Sequence, residues 1–268
     1  DREKRRHLDP RRPFLQALGI TDRDHRVLPS MSHKWKQIDK FLEIFAHALE
    51  SSGLAGAKQI RVVDFGSGKG YLTFAVHDYL HNTLSIDAQV TGVEVRADLV
   101  RFCTEVAAAT NSVGLSFQCG DIEGYKPGTL DVLIALHACD TATDLAMALG
   151  IRTGAQVIMC APCCHKEIRP QLKAPAVLQP LLRFGVHLAQ EAEMVTDGLR
   201  ALLLEASGYE VTLSEFISLE HTDKNKMILG IKRPDLGKPA EAWSRIQAIK
   251  DFYGLREHRL ETLIRSSR

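Results

Sequence analysis

From residue 59 onward, the hydrophobic positions of this chain follow two alternating patterns. Short aliphatic and β-branched runs predict strands, and the stretches between them, with apolar residues three and four positions apart, predict helices. Strands and helices that alternate at this spacing form a mainly parallel sheet covered on both faces, and we expect the last strand to run antiparallel. The sequence therefore predicts an α/β fold with a seven-stranded, mostly parallel sheet. The expected strands are residues 60–65, 87–94, 115–119, 130–136, 156–161, 209–219 and 226–232, with helices up to residue 81 and at 97–110, 142–149 and 190–206.

Two helical extensions flank this region. The apolar positions of residues 34–45 follow helical spacing and predict a helix that begins near Ser30 or Ser32, because either serine can act as an N-cap. Residues 240–264 predict one or two charged amphipathic helices. We therefore expect three segments, namely a basic helical N-terminal extension (1–58), the α/β domain (59–233) and a C-terminal helical tail (234–268).

The charge is spread unevenly, although the net charge is only +1. Residues 1–40 hold 11 Lys and Arg against 6 Asp and Glu, a net of +5, and residues 232–268 hold 9 against 5, a net of +4. Basic ends around an acidic middle suit a polyanionic partner such as RNA. A pair of solvated charged helices explains the same counts, so both interpretations stay open.

The remaining composition is that of a globular chain, with 45% hydrophobic and 25% charged residues. No apolar run approaches the roughly 20 residues of a membrane span, so we expect no membrane partner. The six cysteines lack the spacing of a disulfide framework, which favours reduced thiols and a cytoplasmic location.

The stretch after the first strand carries the strongest chemical signal. An acid is followed by three glycines at alternate positions and then by an amphipathic segment, an order typical of a strand, a tight turn and a helix. Glycines allow the backbone to turn sharply and to approach a ligand closely. The spacing is not that of a P-loop or of the G-x-G-x-x-G dinucleotide fingerprint. The candidate ligand residues here are Asp64, Gly66, Ser67, Gly68 and Gly70.

Acids also follow the next two expected strands. Glu94 ends the second strand, 24 residues after Gly70, close to the spacing at which an acid binds nucleotide ribose hydroxyls. The pattern acid-x-G-x-G-x-G resembles the first motif of class I S-adenosylmethionine-dependent methyltransferases. That resemblance implies S-adenosylmethionine as cofactor, with Asp121 near its adenine. Further candidate cofactor-binding residues are Glu94, Val95, Asp121 and Ile122.

Reactive side chains cluster after the fourth and fifth expected strands. The ends of adjacent strands of this fold flank the transferable methyl group, so we expect these clusters to face each other. Each side chain taken alone also suits an ordinary core position. The candidate catalytic residues are His137, Asp140, Cys163, His165 and Lys166.

The same two clusters carry a more specific resemblance. Leu-His-x-Cys with Ala-Thr-Asp in residues 136–144, and Pro-Cys-Cys-His in 162–165, resemble the eukaryotic tRNA ribose 2′-O-methyltransferases and related methyltransferase-like proteins. The resemblance covers roughly residues 30–232 and implies a Rossmann-like fold and an RNA substrate, tRNA or rRNA. Two departures leave the tRNA target open: Asp140 stands where those enzymes have Gly, and their zinc-binding modules are not visible.

Several alternatives remain for the chemistry. A ribose methyltransferase tetrad would use Lys34 or Lys36 with Asp140, Lys166 and Glu220. A cytosine-C5 mechanism would use the Cys163 thiolate as nucleophile. A zinc or iron–sulfur site would use the run from Cys160 to His165, but a single C-x-x-C is weak evidence, and we predict no metal.

The function has competing interpretations as well. We expect a methyltransferase acting on RNA, with the ribose 2′-hydroxyl as one acceptor. A methyltransferase of a protein or small molecule would bind the same cofactor without salt-dependent RNA affinity. A non-catalytic RNA- or partner-binding module with an inherited cofactor fold would bind the cofactor without turnover.

Overall fold

The computed structural model describes residues 7–126, 128–136, 141–162, 165–215, 226–233 and 239–266. Its seven strands form a mixed sheet in the order β3-β2-β1-β4-β5-β7-β6. The expected α/β fold class is confirmed, and it is the Rossmann-like sheet implied by the resemblance. The strands are β1 (Gln59–Phe65), β2 (Asp87–Glu94), β3 (Leu115–Cys119), β4 (Val132–Ala135), β5 (Val157–Cys160), β6 (Tyr209–Glu215) and β7 (Lys226–Lys232).

The helices precede, alternate with and follow these strands. One expected helix start and one expected helix cap need correction. The helix expected to begin near residue 190 begins at Gly185, because Phe184 before it already ends the preceding turn in extended backbone. The helices are α1 (Pro13–Ala17), α2 (Ser32–Ser52), α3 (Tyr71–Asp78), α4 (Ala97–Ala109), α5 (Thr141–Thr153), α6 (Gln179–Leu182), α7 (Gly185–Glu205), α8 (Pro239–Tyr253) and α9 (Arg259–Ser266).

The second correction concerns the N-cap of α2, which begins at Ser32 as expected. Met31 is its N-cap residue, and no side chain caps the helix, so neither Ser30 nor Ser32 has the expected role. A short 3-10 turn, Pro29–Met31, leads directly into the helix instead. The Met31 N–H donates to the Leu28 carbonyl at 2.8 Å. Backbone groups of this turn therefore replace the serine cap.

Within the described residues, the chain packs into two compact units. The first comprises residues up to 134 with residue 215, and the second comprises residues 135–214 and those from 226 onward. The three segments expected from the sequence follow other boundaries and stay a prediction, since compactness does not decide which segments fold independently. None of the helices in the described ranges is long and apolar enough to cross a bilayer.

The first unit holds the switch point of the sheet. In it, β1 pairs in parallel with β2 along its whole length and with β4 from Val62↔Val132 to Asp64↔Ile134. Ligands of open α/β sheets bind beyond the carboxyl ends of strands where the strand order reverses. The end of β1 is therefore the expected ligand edge.

An aromatic core fixes the elements around this edge. The rings of Phe41 and Phe45 in α2 stack at 6.1 Å. Phe74 in α3 packs against Phe117 of β3 at 5.4 Å between centroids and against Phe14 of α1 at 5.9 Å. Burying such rings supplies much of the packing energy of a domain this size. The helix after the glycine turn, α3, thus packs against a strand, β3, and against a helix, α1.

The second unit is built on β5 and β7. These strands pair antiparallel from Val157↔Ile231 to Cys160↔Ile228, which confirms the expected direction of the last strand. Tyr209, at the start of β6, is buried, and its hydroxyl donates to the Ala155 carbonyl at 2.8 Å. This buried hydrogen bond connects β6 to the turn that precedes β5.

Candidate active site

The turn after β1 adopts a conformation that only glycines hold without strain. Gly66, Gly68 and Gly70 have φ values of 71°, 55° and 73°. A Cβ at Gly70 would lie 3.1 Å from the Phe74 ring and 3.2 Å from Cys103 Sγ, whereas at Gly68 the nearest atom is the Gly66 carbonyl at 4.0 Å. The turn is therefore closely packed at Gly70, and it is open at Gly68, which suits the close approach of a ligand.

Glu94 fastens this turn to the end of β2. Its Oε2 accepts the Gly68 N–H at 2.9 Å, and its Oε1 accepts the Arg96 N–H at 3.0 Å. The Gly66 and Ser67 N–H groups donate to the Val93 carbonyl at 2.8 and 3.2 Å. Glu94 is largely buried, yet each carboxylate oxygen can accept two hydrogen bonds. Both oxygens keep an acceptor position for ribose hydroxyls.

Asp64 lies beneath the turn as a buried acid. Burial raises the pKa of this carboxyl to about 7, the Thr73 hydroxyl that donates to Oδ2 at 2.7 Å opposes the rise, and the negative charge of Glu94 adds to it. A carboxyl with a pKa near 7 is only partly ionised at neutral pH, and a cation that binds beside it favours the ionised form. Asp64 is therefore suited to a cationic ligand rather than to a second anion.

The predicted residues after β2 and β3 come together at the same edge. Glu94 pairs with Cys119, the last residue of β3, and the Gly120 N–H donates to the Glu94 carbonyl at 3.1 Å. Val95 is 67% exposed, an unusual position for a large apolar side chain. Asp121 is exposed, and its Oδ1 accepts the Gly124 N–H at 2.8 Å. An apolar surface beside carboxylates fits a nucleoside.

The first unit also contains two aromatic residues that the sequence analysis missed, Tyr125 and Tyr71. Tyr125 packs edge-on against Phe65, the last residue of β1, at 5.3 Å, so the loop after β3 folds over the ligand edge. The Lys34 ammonium lies 5.2 Å from the centroid of the Tyr71 ring. Nothing in the residue pattern distinguishes these aromatic residues from ordinary surface ones, because their positions depend on how loops and helices pack.

Cys103, in α4, supports the turn from below. It is buried, and its Sγ lies 3.6 Å from the Gly68 carbonyl. Burial, together with the negative charge of Glu94, raises the pKa of this thiol to about 12. A thiol with so high a pKa is neutral at physiological pH and is not a nucleophile.

Of the five predicted catalytic residues, the described part of the chain includes two. His137, Asp140 and Cys163 lie outside the described residues and stay predictions. Glu220 of the alternative tetrad and Cys164 of the alternative metal run lie outside them as well. His165 and Lys166 lie in the second unit, five and six residues after the end of β5, and the Lys166 side chain is exposed.

The C-terminal helices of the second unit hold the segment that follows Lys166. Glu167 Oε2 accepts the Arg259 N–H at 3.1 Å, and burial raises the pKa of this half-buried carboxyl. The Gln171 side chain accepts the Arg256 and Glu257 N–H groups at 3.1 and 3.0 Å and donates to the Glu257 carbonyl at 3.1 Å. The loop before α9 thus fixes the segment after β5.

Asp144, the last residue of the Ala-Thr-Asp motif, has a structural contact. It pairs with Arg200 of α7 through two hydrogen bonds of 2.8 Å, and both side chains are nearly inaccessible, at 2% and 3%. A buried bidentate pair joins two helices and cannot be broken without leaving a buried charge. This part of the motif is explained by packing.

Comparison with known proteins agrees with this geometry. Residues 33–171 match a family model described as a methyltransferase domain, and the chain belongs to that family. The domain is therefore that of a methyltransferase.

The curated proteins that this chain resembles are longer than it is. The chain is 28% identical over 224 residues to a Drosophila melanogaster glutathione S-transferase C-terminal domain-containing protein homolog, covering 70% of this chain and 35% of that protein. It is 28% identical over 199 residues to the Homo sapiens protein of similar name, covering 64% and 30%. The chain thus spans about a third of the length of the curated relatives it matches.

A solved structure similar to this chain is the N-terminal domain of EvdMO1, determined in the presence of SAH and D-fucose. The TM-score is 0.45 and the sequence identity is 12%, and the match covers 74% of this chain and 83% of that one.

S-adenosylmethionine is the methyl donor of such a domain, and the first unit fits it. The molecule carries a positive sulfonium and ammonium, two ribose hydroxyls and an adenine. Asp64 suits the cationic end, the open face at Gly68 admits a close approach, Glu94 keeps acceptor positions, and exposed Val95 offers an apolar surface. The buried Ser67 Oγ makes no hydrogen bond within the described ranges, as expected of a turn shaped for a ligand.

Proposed function

We propose that this domain methylates RNA, with tRNA or rRNA as substrate class and the ribose 2′-hydroxyl as the favoured acceptor. One observation carries the choice of a polyanionic acceptor. The Lys34 ammonium lies 5.2 Å from the ring of Tyr71, and Tyr71 is the first residue of α3, directly after Gly70. The cationic start of α2 is therefore beside the glycine turn. An RNA that brings a ribose hydroxyl to the methyl group would place its phosphates near these cations.

The charge around this point supports the same choice. Lys36, two residues along α2, is exposed, and residues 1–40 carry a net charge of +5. Phosphate contacts by lysine and arginine supply most of the sequence-independent affinity for nucleic acids. A neutral small-molecule acceptor would have no use for these cations.

The chemistry assigns separate tasks to the chain's own residues. S-adenosylmethionine supplies the electrophilic methyl group. The acceptor hydroxyl must lose its proton as its oxygen forms the new bond to carbon and the carbon–sulfur bond breaks, which leaves S-adenosylhomocysteine. We assign to the Lys166 ammonium the stabilisation of the developing oxyanion, and to the His165 imidazole, which precedes it in the sequence, the acceptance of the hydroxyl proton. Glu94 and Asp64 orient and neutralise the donor.

Methyl transfer to cell extracts tests this function. Total RNA, protein and small-molecule fractions from cells that lack the protein are incubated with it and a tritiated methyl donor, and labelled RNA is digested to nucleosides. We expect label in RNA that resists alkaline cleavage at the modified site, as a 2′-O-methylated linkage does. Label only in protein or small molecules would overturn the RNA proposal, and donor binding without transfer to any fraction would indicate the non-catalytic module.

Variants of α2 test the role of its cations. Lys34→Ala and Lys36→Ala should each raise the KM for RNA several-fold and reduce its salt dependence, without changing affinity for the donor. Lys40→Ala is the matched control, because Lys40 lies in the same helix and pairs with Glu43 at 3.0 Å. Equal KM values for all three variants and the wild type would remove the support that α2 gives to an RNA substrate.

A further inference from the structure

The segment that follows β5 in the second unit is basic and exposed. Residues 165–187, here termed the post-β5 segment, contain four Lys and Arg residues against a single acid. That acid, Glu167, is half-buried and bound to the Arg259 N–H. The four cations are all exposed, namely Lys166, Arg169, Lys173 and Arg183. The surface therefore presents positive charge with its one carboxylate turned to the protein.

An exposed aromatic cluster lies at the end of this segment. Phe184 is 48% exposed, although a buried phenylalanine is the norm. The Arg183 guanidinium lies 4.7 Å from the centroid of its ring, and the His187 ring packs against it edge-on at 5.7 Å. Phe184 has extended backbone at the start of α7, so its ring stands where the chain turns into the helix. A cation and an aromatic ring are thus combined on the surface.

The post-β5 segment is held firmly by the C-terminal helices. The Lys173 N–H donates to the Tyr253 carbonyl at 2.9 Å, and Gln171 makes three hydrogen bonds to residues 256 and 257. A surface fixed in this way loses little conformational entropy when a partner binds. The first two residues of the segment are the predicted catalytic residues His165 and Lys166.

Charge and ring chemistry together identify the partner. Single-stranded nucleic acids bind to surfaces that combine cations for the phosphates with exposed aromatic rings on which bases stack. An acidic protein partner would gain nothing specific from an arginine stacked on a phenylalanine. We propose that the post-β5 segment binds single-stranded RNA, with one base stacked on Phe184 and Arg183 and phosphates on the neighbouring cations. This proposal rests on the RNA substrate proposed above and names a surface that holds it.

RNA binding by matched phenylalanine variants tests the proposal. The whole chain, as wild type, Phe184→Ala, Arg183→Gln or Phe252→Ala, is titrated into a fluorescent single-stranded 12-mer at several salt concentrations. Phe252 is the matched control, because it is 54% exposed in α8 and packs edge-on against Tyr253 at 4.9 Å. Thermal melting and donor binding of each variant establish that it is folded.

The two variants should weaken binding in different ways. Phe184→Ala should lower RNA affinity about tenfold at every salt concentration, because a stacked base contributes without counterion release. Arg183→Gln should lower the affinity and reduce the slope of log K against log salt by about 0.7, the value for one phosphate contact on a single strand. Phe252→Ala should match the wild type.

Other outcomes separate the two proposals. If the wild type binds RNA and neither Phe184→Ala nor Phe252→Ala changes the affinity, this inference is overturned and the proposed RNA substrate still stands. Absence of RNA binding by the folded wild type would overturn both. If RNA affinity is unchanged and the sedimentation coefficient falls only for Phe184→Ala, the segment is a protein–protein surface instead. That result would also overturn this inference.

Discussion

Glu94 and Gly68 are joined by a hydrogen bond of 2.9 Å, which fastens the glycine turn after β1 to the end of β2. The same carboxylate accepts the Arg96 N–H at 3.0 Å, so one side chain sets the geometry of two loops. The acid identified from its spacing to the glycines therefore shapes the turn as well as facing the ligand edge. Both roles depend on its charge.

Glu94→Gln should weaken donor binding by tenfold or more. The carboxamide has only one acceptor oxygen and presents its NH₂ group to a backbone N–H, and a charge-assisted hydrogen bond contributes about 1.5–3 kcal/mol. Isothermal titration with S-adenosylhomocysteine measures the effect. Asp98→Asn is the control, since Asp98 is an exposed acid of the next turn that pairs with Arg96 at 2.7 Å. Equal affinities of the two variants would exclude Glu94 from the cofactor site.

Asp64 should make the stability of the unliganded protein fall as pH rises. Its pKa is about 7 in the folded protein against an ordinary 3.8, so between these values the folded state retains a proton that the unfolded state has released. The free energy of unfolding then decreases with pH, by at most about 1.4 kcal/mol per unit, and levels off above pH 7. Asp64→Asn should remove this slope and be more stable than wild type at pH 8. Urea unfolding at pH 5, 6, 7 and 8 measures it, and parallel profiles would contradict the prediction.

The same carboxyl should make donor affinity depend on pH in the opposite direction. The donor is cationic at its sulfonium and ammonium, and it favours the ionised form of Asp64. Affinity should therefore rise by up to about tenfold between pH 6 and pH 8, because one pKa unit corresponds to about 1.4 kcal/mol. Asp64→Asn should bind more weakly with little pH dependence. A wild-type affinity that is constant over this range would show that the donor's charge does not reach Asp64.

Lys166→Ala should slow methyl transfer by about a hundredfold or more at saturating RNA, because general acid–base groups typically contribute that much. Donor affinity should stay unchanged, since the residues predicted to contact the donor are all in the first unit. Single-turnover transfer and titration with the donor separate the two effects. Lys58→Ala, at an exposed lysine just before β1, is the control. Wild-type turnover of the Lys166 variant on its true substrate would rule out both this assignment and the tetrad.

Asp144→Ala should destabilise the protein severely without a direct effect on chemistry. Removing Asp144 takes away the bidentate partner of the buried Arg200 and leaves Asp197 at 3.7 Å, and breaking a buried pair in this way costs up to about 3–5 kcal/mol. Glu210→Ala is the control, because Glu210 pairs with Arg233 at the same distance of 2.8 Å on the surface, where such a pair contributes about 1 kcal/mol or less. Chemical denaturation of both variants gives the two free energies. Similar small losses would mean that the buried pair adds no more than a surface one.

Local patterns along the chain predicted most of the fold. The period of the hydrophobic positions identified all seven strands, and several bounds are correct to the residue, such as 87–94 and 115–119. Errors fell on the cap of α2, where a backbone turn takes the place of the expected serine, and on the start of α7, where an extended residue decides where the helix begins. The glycine spacing predicted the turn after β1, because three left-handed positions at alternate residues favour glycine in any context.

Sequence alone thus determined the fold class, the glycine turn after β1 and the acid that is hydrogen-bonded to it, since each depends on short-range spacing or on backbone conformations that few residues adopt. Only the tertiary structure decided which groups meet across long separations. It placed Tyr125 on Phe65 and Lys34 by Tyr71, paired Asp144 with Arg200, and moved the pKa of Asp64 to about 7. These properties arise from packing and burial, which depend on residues far apart in the chain and leave no mark on the local pattern.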